Sequence, residues 1–426
     1  MTNLHTNSNL PVLIVGAGQA GATAAAELRK FGCGKQIILC GAETHAPYER
    51  PPLSKHVLAD QERERDIFIH PASFYEDHGI DLRLGTTVVA LNAKEKTAYF
   101  KDGSKTEYGS CLIATGGNAR VLPELPQSTP GVHYVRTLQN ARDLRSALES
   151  KTHILVIGGG FLGLEIASSA RTSGHEVTLV EAAARLLPRA LPAVLSDWLA
   201  ERARAIGINL RLGVSINAVA VEADGVKLNL SSGTSITAAL VIVAVGLLPE
   251  VELARNAGLR INHENGGISV GPDCSSSLAG IYAAGDCASQ MNPFFGREVR
   301  LESWQNANVQ AQCAAAAIAG AVQPKNVVPW FWTDQLGWNI QMYGEYDSTL
   351  EYVLRGEIPS ALEPGKFMLL GGRAGVLRHA IAINAGGDLR QTHPLFERHA
   401  SCNIAALADH TQPLRKLVAV ALNACA

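Results

Sequence analysis

Residues 12–21 read VLIVGAGQAG, a four-residue apolar run followed by a glycine-rich turn. The next eleven residues, ATAAAELRKFG, favour a helix that stops at Gly32. A second apolar run, IILC, occupies residues 37–40. Strand, glycine turn, helix and strand in this order are the context in which G-x-G-x-x-G indicates a dinucleotide-binding unit.

Each glycine of the turn has a separate physical role. Gly16 permits the tight turn, Gly18 lets the backbone approach a pyrophosphate, and Gly21 lets helix and strand pack closely. The pyrophosphate then lies against exposed N–H groups at the helix N-terminus. Glu43 follows 27 residues after Gly16, where a carboxylate accepts hydrogen bonds from ribose hydroxyls.

The pattern recurs about 140 residues later. Residues 154–163 read ILVIGGGFLG, the helical stretch LEIASSARTSG follows, and the strand EVTLVE ends at Glu181. This internal repeat predicts a second unit that binds a second dinucleotide. A carboxylate at Glu181 pairs with a free ribose 2′-hydroxyl and repels a 2′-phosphate, which favours NADH. Arg185 and Arg189 follow closely and leave NADPH open, because an arginine is also able to pair with that phosphate.

Composition excludes several other classes. The chain has 426 residues, 47% hydrophobic and 18% charged, with a net charge of −2, so neither nucleic acid nor an anionic membrane is indicated. The eight cysteines form no CxxC pair, which predicts a reducing compartment without structural disulfides or a zinc site. The polar start predicts no signal peptide, and no apolar run is long enough to span a bilayer. We therefore expect a cytoplasmic protein without a metal.

Five further segments carry a family resemblance, namely APYERPPLSK at 46–55, CLIATGGNAR at 111–120, GIYAAGD at 280–286, ESW at 302–304 and PWFWTDQ at 329–335. They resemble the ferredoxin reductases of Rieske-type aromatic ring-hydroxylating dioxygenase systems, in the pyridine nucleotide-disulfide oxidoreductase superfamily. The resemblance covers nearly the whole chain. One departure is that Ala42 stands where many relatives carry an acid, so the ribose role in the first unit depends on Glu43 alone.

The resemblance implies three catalytic residues. Lys55 corresponds to a lysine at the flavin N5 edge, and Glu165 is placed near it, where an ion pair orients both side chains. Trp332 is the candidate for electron exit. Each has a plainer interpretation, because Lys55 and Glu165 could be surface residues and a tryptophan in an aromatic cluster is usually core.

Motifs and resemblance together predict the cofactor-binding positions. Those for FAD are Gly16, Ala17, Gly18, Gly21, Glu43, Arg50, Lys55, Val88, Thr115, Gly116, Arg120, Gly285, Asp286, Glu302 and Trp304. Those for NAD are Gly158, Gly160, Phe161, Leu162, Gly163, Glu181, Arg189, Val245 and Gly246.

The expected fold is α/β, with two Rossmann-like domains in a glutathione-reductase-like arrangement and a C-terminal α+β domain. The order of segments predicts a discontinuous FAD-binding domain at 1–120 and 246–326. An NAD-binding domain at 121–245 is inserted into it, and the C-terminal domain covers 327–426. The short alternating strands after residue 327 and the helical stretch DLRQTHPLFERH suggest the last of these.

The implied activity is that of an NADH:ferredoxin reductase. FAD accepts a hydride from NADH and passes single electrons to a [2Fe–2S] ferredoxin that feeds an aromatic ring-hydroxylating oxygenase. The alternatives are a reductase for a P450-type ferredoxin or a rubredoxin, or a flavoprotein redox-signalling module. A disulfide or peroxide reductase is disfavoured because no C-x₄-C pair is present. The protein is expected to be a monomer or homodimer.

Overall fold

The computed structural model describes residues 10–149, 153–223 and 225–424. These residues form two compact units. The first comprises the described residues up to Glu49 together with Glu64–Asn118 and Leu247–Val327. The second comprises Arg50–Arg63, Ala119–Gly246 and the described residues from Val328 onward. This grouping joins the C-terminal residues to the second unit, and the division into three domains stays a prediction.

The strands are short and occur in both units. In chain order they are β1 (Val12–Val15), β2 (Ile37–Cys40), β3 (Ile80–Arg83), β4 (Val88–Asn92), β5 (Thr97–Phe100), β6 (Lys105–Glu107), β7 (Ser110–Ile113), β8 (Gly117–Ala119), β9 (Val132–His133), β10 (His153–Ile157), β11 (Glu176–Glu181), β12 (Ile208–Leu212), β13 (Ile216–Glu222), β14 (Gly225–Leu230), β15 (Ser235–Ala238), β16 (Leu240–Val243), β17 (Leu247–Pro249), β18 (Ile268–Val270), β19 (Ile281–Ala283), β20 (Ala288–Asn292), β21 (Arg297–Val299), β22 (Trp330–Gln335), β23 (Trp338–Gly344), β24 (Glu351–Gly356), β25 (Phe367–Arg373) and β26 (Val376–Ile383).

Helices alternate with these strands along the described residues, and two of them begin directly after the glycine turns. They are α1 (Gln19–Lys30), α2 (His56–Ala59), α3 (Phe74–Asp77), α4 (Leu138–Leu148), α5 (Phe161–Thr172), α6 (Ala193–Ala205), α7 (Glu252–Asn256), α8 (Trp304–Ala319), α9 (Gly386–Glu397), α10 (Ile404–Leu407) and α11 (Leu414–Asn423). Two 3₁₀ helices cover Pro51–Ser54 and Gln61–Asp66. None of the described helices combines the length and the apolar character needed to cross a bilayer.

The predicted internal repeat is confirmed at the level of sheet topology. The first unit has a parallel sheet ordered β19-β7-β1-β2-β3, and the second has one ordered β9-β16-β10-β11-β12. Each unit also carries an antiparallel three-stranded sheet, β4-β5-β6 or β13-β14-β15. Since the edge strand β19 comes late in the chain, the first unit is completed only by residues that follow the second glycine motif.

Alternate residues of β1 explain how the parallel sheet is covered. Leu13 and Val15 pack toward the β4-β5-β6 sheet, in one cluster with Phe100. Val12 and Ile14 pack on the other side against alanines and Leu28 of α1 and against alanines of α8. A strand buried on both faces must be apolar throughout, which is why this one reads as an unbroken apolar run.

The C-terminal residues form an antiparallel sheet ordered β22-β23-β26-β25-β24, followed by α9, α10 and α11. The predicted short strands and the helix over DLRQTHPLFERH are confirmed, with α9 beginning at Gly386. Strand β22 begins this sheet and pairs antiparallel with β23. Three of its residues, Thr333, Asp334 and Gln335, make polar contacts with Lys55 or α5 that are described below.

A buried histidine in this sheet predicts acid sensitivity. His379 on β26 is 1% exposed, and its Nδ1 lies 2.7 Å from Tyr352 Oη. Burial lowers the pKa of His379 to about 3. Because the unfolded chain titrates near 6.5, stability is fully present above that pH and falls as the pH drops toward 3. The slope approaches about 1.4 kcal/mol per pH unit.

We expect His379→Gln to flatten this pH dependence, measured as the urea midpoint between pH 7.5 and 4.5. His393→Gln is the matched control, because the His393 side chain is 39% exposed. Identical pH slopes for the two variants and the parent protein would show that His379 does not carry the effect.

Candidate active site

In the first glycine turn, a side chain would clash at two of the glycine positions and would meet free space at the third. Gly16 has φ +112°, and its N–H donates to Cys40 O at 2.8 Å. A Cβ on Gly16 would lie 2.2 Å from Ala114 O, and one on Gly21 would lie 1.9 Å from Gly16 O. A Cβ on Gly18 has no heavy atom of the described residues within 4 Å. The space at Gly18 is therefore free for a ligand at the N-terminus of α1.

The second turn repeats this geometry. Gly158 has φ +109°, and its N–H donates to Val180 O at 2.8 Å. A Cβ on Gly158 would lie 2.4 Å from Ala244 O, and one on Gly163 would lie 2.0 Å from Gly158 O. A Cβ on Gly160 again meets no heavy atom of the described chain within 4 Å. Both cradles fit a pyrophosphate, because they leave space only where a phosphate must approach.

The carboxylates after the second strands are not equivalent in the two units. Glu181 Oε2 accepts from Gly159 N–H at 2.6 Å, and Oε1 accepts from Ala183 N–H at 2.7 Å. When the paired strands of the two units are compared residue by residue, Gly41 of the first unit corresponds to Glu181 of the second. Glu43 lies two residues further along, and its Oε2 accepts from Tyr48 Oη at 2.6 Å. Backbone N–H groups therefore fix Glu181, whereas Glu43 is held by the hydroxyl of Tyr48.

Within the first unit, Thr115 and Gly116 lie beside β17. Thr115 Oγ1 donates to Glu250 O at 2.6 Å, and Gly116 O accepts from Glu250 N–H at 2.9 Å. Arg120 N–H donates to Gly246 O at 2.9 Å, and the Arg120 side chain is exposed. Val245 is partly buried against the core of the second unit.

The second predicted FAD segment, GIYAAGD at 280–286, is held in place by a hydrogen bond to α8. Gly285 N–H donates to Gln310 Oε1 at 2.9 Å. Arg300 Nη1 donates to Asp286 O at 3.2 Å and lies 2.7 Å from Glu302 Oε1. These contacts hold Gly285, Asp286 and Glu302 in one part of the first unit.

Four more predicted FAD positions are tied to their own unit. Trp304, the first residue of α8, donates its indole N–H to Glu49 Oε1 at 3.0 Å. Val88 is 8% exposed at the start of β4. Ala17 packs against the core of the first unit. In the second unit, Arg50 Nη1 donates to Arg136 O at 2.5 Å.

Arg185 and Arg189, the two arginines that could pair with the 2′-phosphate of NADPH, differ in their surroundings. The guanidinium of Arg185 is held by oxygens of the second unit, namely Pro188 O (2.9 Å), Leu191 O (2.6 Å), Ser196 Oγ (2.7 Å) and Tyr346 Oη (3.3 Å). Arg189 is exposed. Arg185 therefore braces the loop after Glu181, and Arg189 is the arginine available to a nucleotide.

Lys55 lies between two carboxylates of the second unit. Its Nζ is 2.9 Å from Asp334 Oδ2 and 3.4 Å from Glu165 Oε1. The structure thus brings together the predicted residues Lys55 and Glu165. The surface interpretation of both is wrong, because their side chains are only 18% and 11% exposed.

Glu165 has a hydroxyl donor on each carboxylate oxygen. Thr333 Oγ1 donates to Oε1 at 2.5 Å, and Ser54 Oγ donates to Oε2 at 2.6 Å. Ser54, Thr333 and Asp334 did not emerge from the sequence as site residues. The available signal was the run of three polar residues, Thr333 to Gln335, directly after three aromatic residues in the same strand.

The aromatic residues of β22 point to different neighbours. Trp332 stacks on Trp330 with ring centroids 5.0 Å apart and an interplanar angle of 17°. Phe331 contacts Phe161, at the N-terminus of α5, with centroids 4.7 Å apart. Leu162 follows Phe161 and is partly buried. The electron-exit role of Trp332 stays a prediction.

The cysteine at the end of β2 is too deeply buried to act as a second reaction centre. All the cysteines in the described part of the chain are free thiols. Cys40 is 1% exposed, and burial raises its pKa to about 11 despite the opposing charge of Arg83. Such a thiol is a poor nucleophile at neutral pH. Within the described ranges, no three His, Cys, Asp or Glu side chains are grouped to hold a metal ion.

Comparison with known proteins identifies the family. Residues 10–311, which include both glycine cradles, match the family described as pyridine nucleotide-disulphide oxidoreductase. The chain belongs to this family. Residues 330–418 match a second description, reductase C-terminal, that fits the module beginning with β22.

Individual members of the pyridine nucleotide-disulphide oxidoreductase family narrow the resemblance. The chain is 36% identical, over 95% of its length and 98% of the relative's, to the anthranilate 1,2-dioxygenase system ferredoxin–NAD(+) reductase component of Burkholderia cepacia. It is 37% identical to a rubredoxin–NAD(+) reductase of Pseudomonas putida, over 79% of its length and 88% of that protein's. A crystal structure of the covalent putidaredoxin reductase–putidaredoxin complex superimposes with a TM-score of 0.92 at 31% identity, covering 97% of this chain and 99% of that one. The resemblance expected from the sequence is confirmed.

Proposed function

We propose that this chain is an NADH-dependent ferredoxin reductase. FAD binds the cradle of the first unit, NADH binds the cradle of the second, and electrons leave to a [2Fe–2S] ferredoxin that serves an aromatic ring-hydroxylating oxygenase. The observation that carries the proposal is the pair of matched glycine cradles, each closed at its first and last glycine and open at the middle one.

The first unit suits FAD. Its cradle at Gly18 is supplemented by Gly285 and Asp286, which hydrogen bonds from α8 and Arg300 hold in place. Glu43 supplies a carboxylate for ribose hydroxyls, and Trp304 supplies an aromatic surface that is 36% exposed. These residues provide the phosphate, ribose and ring contacts that a flavin dinucleotide needs.

The second unit suits NADH. Gly160 opens the cradle at the N-terminus of α5, and the hydrogen bonds to Glu181 fix its carboxylate beside that cradle. A fixed negative charge there repels the 2′-phosphate of NADPH. Arg185 cannot reverse this preference, since its guanidinium is committed to four oxygens of the protein.

FAD supplies the redox chemistry when bound, because it accepts a hydride from NADH and releases electrons one at a time. The protein's contribution is position and charge. Lys55, held by two carboxylates, presents a fixed ammonium that favours developing negative charge, and no side-chain nucleophile is required.

Glu181 gives a direct test of nucleotide choice. We expect Glu181→Ala to narrow the preference for NADH over NADPH by about tenfold, because the repulsion of the 2′-phosphate is removed. The measurement is the ratio of kcat/KM for the two nucleotides. Glu176→Ala is the control, since Glu176 is exposed at the start of the same strand. A ratio that stays at the parent value in Glu181→Ala would contradict this role.

The acceptor is proposed from the similar proteins. The relative from Burkholderia cepacia is a ferredoxin reductase component of a dioxygenase system, and the superimposed structure holds a redox partner, putidaredoxin. The similar rubredoxin–NAD(+) reductase makes rubredoxin the second candidate. We further propose a cytoplasmic location, which the free thiols of the described residues support.

The acceptor class is tested by steady-state NADH oxidation with equal concentrations of three proteins. These are a dioxygenase-type [2Fe–2S] ferredoxin, a P450-type ferredoxin and a rubredoxin. We expect the highest kcat/KM with the dioxygenase-type ferredoxin. A higher value with rubredoxin would replace the proposed partner, and no turnover with any of the three would favour the signalling alternative.

A further inference from the structure

Strand β22 contacts α5, the helix that begins after the second glycine turn, through one of its faces. Phe331, Thr333 and Gln335 are two residues apart and therefore point to the same side of the strand. Phe331 packs on the ring of Phe161, and Gln335 Nε2 donates to Phe161 O at 3.0 Å. Three successive side chains of this face thus hold the first turns of α5.

Thr333 connects this face to the Lys55 cluster. It is 0% exposed, accepts a hydrogen bond from Gln335 Nε2 at 2.7 Å and donates its own hydroxyl to Glu165 at 2.5 Å. Such donors stabilise a buried carboxylate. If one donor is removed, a buried oxygen has neither water nor a protein group to donate a hydrogen bond to it, which costs free energy. Thr333 thereby fixes the orientation of the Glu165 carboxylate.

Asp334 holds the ammonium of Lys55 from the other side. Its Oδ2 is the closer of the two carboxylate contacts, at 2.9 Å, and its Oδ1 accepts from Asn339 Nδ2 at 2.9 Å. Partial burial acts to raise the pKa of Asp334, but the hydrogen bonds from Asn339 and Lys55 and the charge of Lys55 lower it overall. Asp334 is therefore ionised at neutral pH and remains so under mildly acidic conditions.

We propose that Thr333 and Asp334 are positioning residues for hydride transfer, and that they act by holding Lys55 and Glu165 in one arrangement at the start of the NAD-binding helix. The inference rests on the proposed function and assigns part of the active centre to the first strand of the C-terminal module. Neither residue belongs to the predicted nucleotide-contact set, so their effect is on the rate of transfer rather than on nucleotide affinity.

The expected effect of Asp334 follows from the small number of carboxylates that contact Lys55. Among the described residues of the second unit, Lys55 forms ion pairs with Glu165 and Asp334, and Glu165 already accepts two hydroxyl hydrogen bonds. Without Asp334 the ammonium retains only the longer contact and gains rotational freedom. When a catalytic group moves by about 1 Å from its productive position, the rate of the reaction can fall about a hundredfold.

The test compares Asp334→Asn and Thr333→Val with Asp347→Asn. Asp347 is a suitable control because it pairs with Arg373 on the surface of the same module. Each holoenzyme is mixed anaerobically with NADH in a stopped-flow instrument at one fixed pH, and the dissociation constant of NAD⁺ is measured separately by calorimetry.

We expect the limiting rate of flavin reduction to fall about tenfold in Asp334→Asn and Thr333→Val, with NAD⁺ affinity within about twofold of the parent. Thr333→Ser should restore the rate because it restores the hydroxyl.

Two results would overturn the inference. One is that both variants match Asp347→Asn in the limiting rate of flavin reduction. The other is that NAD⁺ affinity falls as much as the rate does, which would indicate a merely structural role. Failure of the parent protein to be reduced by NADH would instead refute the proposed function, so the two failures are distinguishable.

Discussion

Replacing Gly160 by alanine is expected to lower kcat/KM for NADH at least about a hundredfold, or roughly 2.7 kcal/mol, while the protein stays folded and retains its flavin. The added Cβ meets no heavy atom of the described chain within 4 Å, so it projects into the space that a phosphate must enter. Nucleotide affinity from calorimetry and thermal stability from circular dichroism are both measured.

Gly163→Ala is the matched comparison, because it adds the same methyl group one helical turn later. Its Cβ would lie 2.0 Å from Gly158 O, a severe overlap with backbone. Overpacking of this kind costs about 1–3 kcal/mol of stability, so the melting temperature should fall in Gly163→Ala and not in Gly160→Ala. Equal melting temperatures, or unchanged NADH kinetics in Gly160→Ala, would contradict the assignment of open and closed positions.

Replacing Lys55 by methionine is expected to lower the limiting rate of flavin reduction by about 10²–10³-fold. Removing one preorganised electrostatic contact from an active site has effects of this size. Methionine preserves the apolar length of the side chain but leaves Glu165 and Asp334 without their shared ammonium. The rate is measured by anaerobic stopped flow with saturating NADH.

Lys227→Met is the control for this change. Lys227 also forms an ion pair, with Glu222, but its side chain is 39% exposed and lies on an antiparallel sheet of the same unit. Its replacement should leave the rate of flavin reduction unchanged. A Lys55→Met protein that binds FAD and is reduced as fast as the Lys227→Met protein would remove Lys55 from the mechanism.

The parts of the fold that depend on neighbouring residues could be predicted from the sequence. The apolar run at β1, the spacing of Gly16, Gly18 and Gly21, and the repeat at Gly158 specify strand–turn–helix units locally. Because backbone contacts within the same unit require a glycine at the first and last positions of each motif, the motif itself carries this information.

The contacts around Lys55 could not be predicted in the same way. Its partners Glu165 and Asp334 lie 110 and 279 residues away in sequence. Only the folded second unit shows that Asp334 provides the shorter contact and that Thr333 and Ser54 donate to Glu165. The resemblance indicated the Lys55–Glu165 pair, whereas the contacts of Thr333 and Asp334 with that pair are seen only in the tertiary structure.

Arg185 illustrates a second limit. From the sequence, an arginine four residues after Glu181 is a reasonable partner for a 2′-phosphate. In the fold, backbone oxygens, Ser196 and the distant Tyr346 hold its guanidinium. Whether a charged side chain is available to a ligand depends on such contacts, which sequence spacing does not reveal.

The central claim is tested most directly by anaerobic double mixing, first with NADH and then with a [2Fe–2S] ferredoxin, while the visible spectrum is followed. We expect the flavin absorbance to bleach after the first mix and to return after the second as the ferredoxin is reduced. Bleaching without ferredoxin reduction would contradict the proposed partner class. A protein that binds no FAD, or whose flavin NADH does not reduce, would contradict the claim itself.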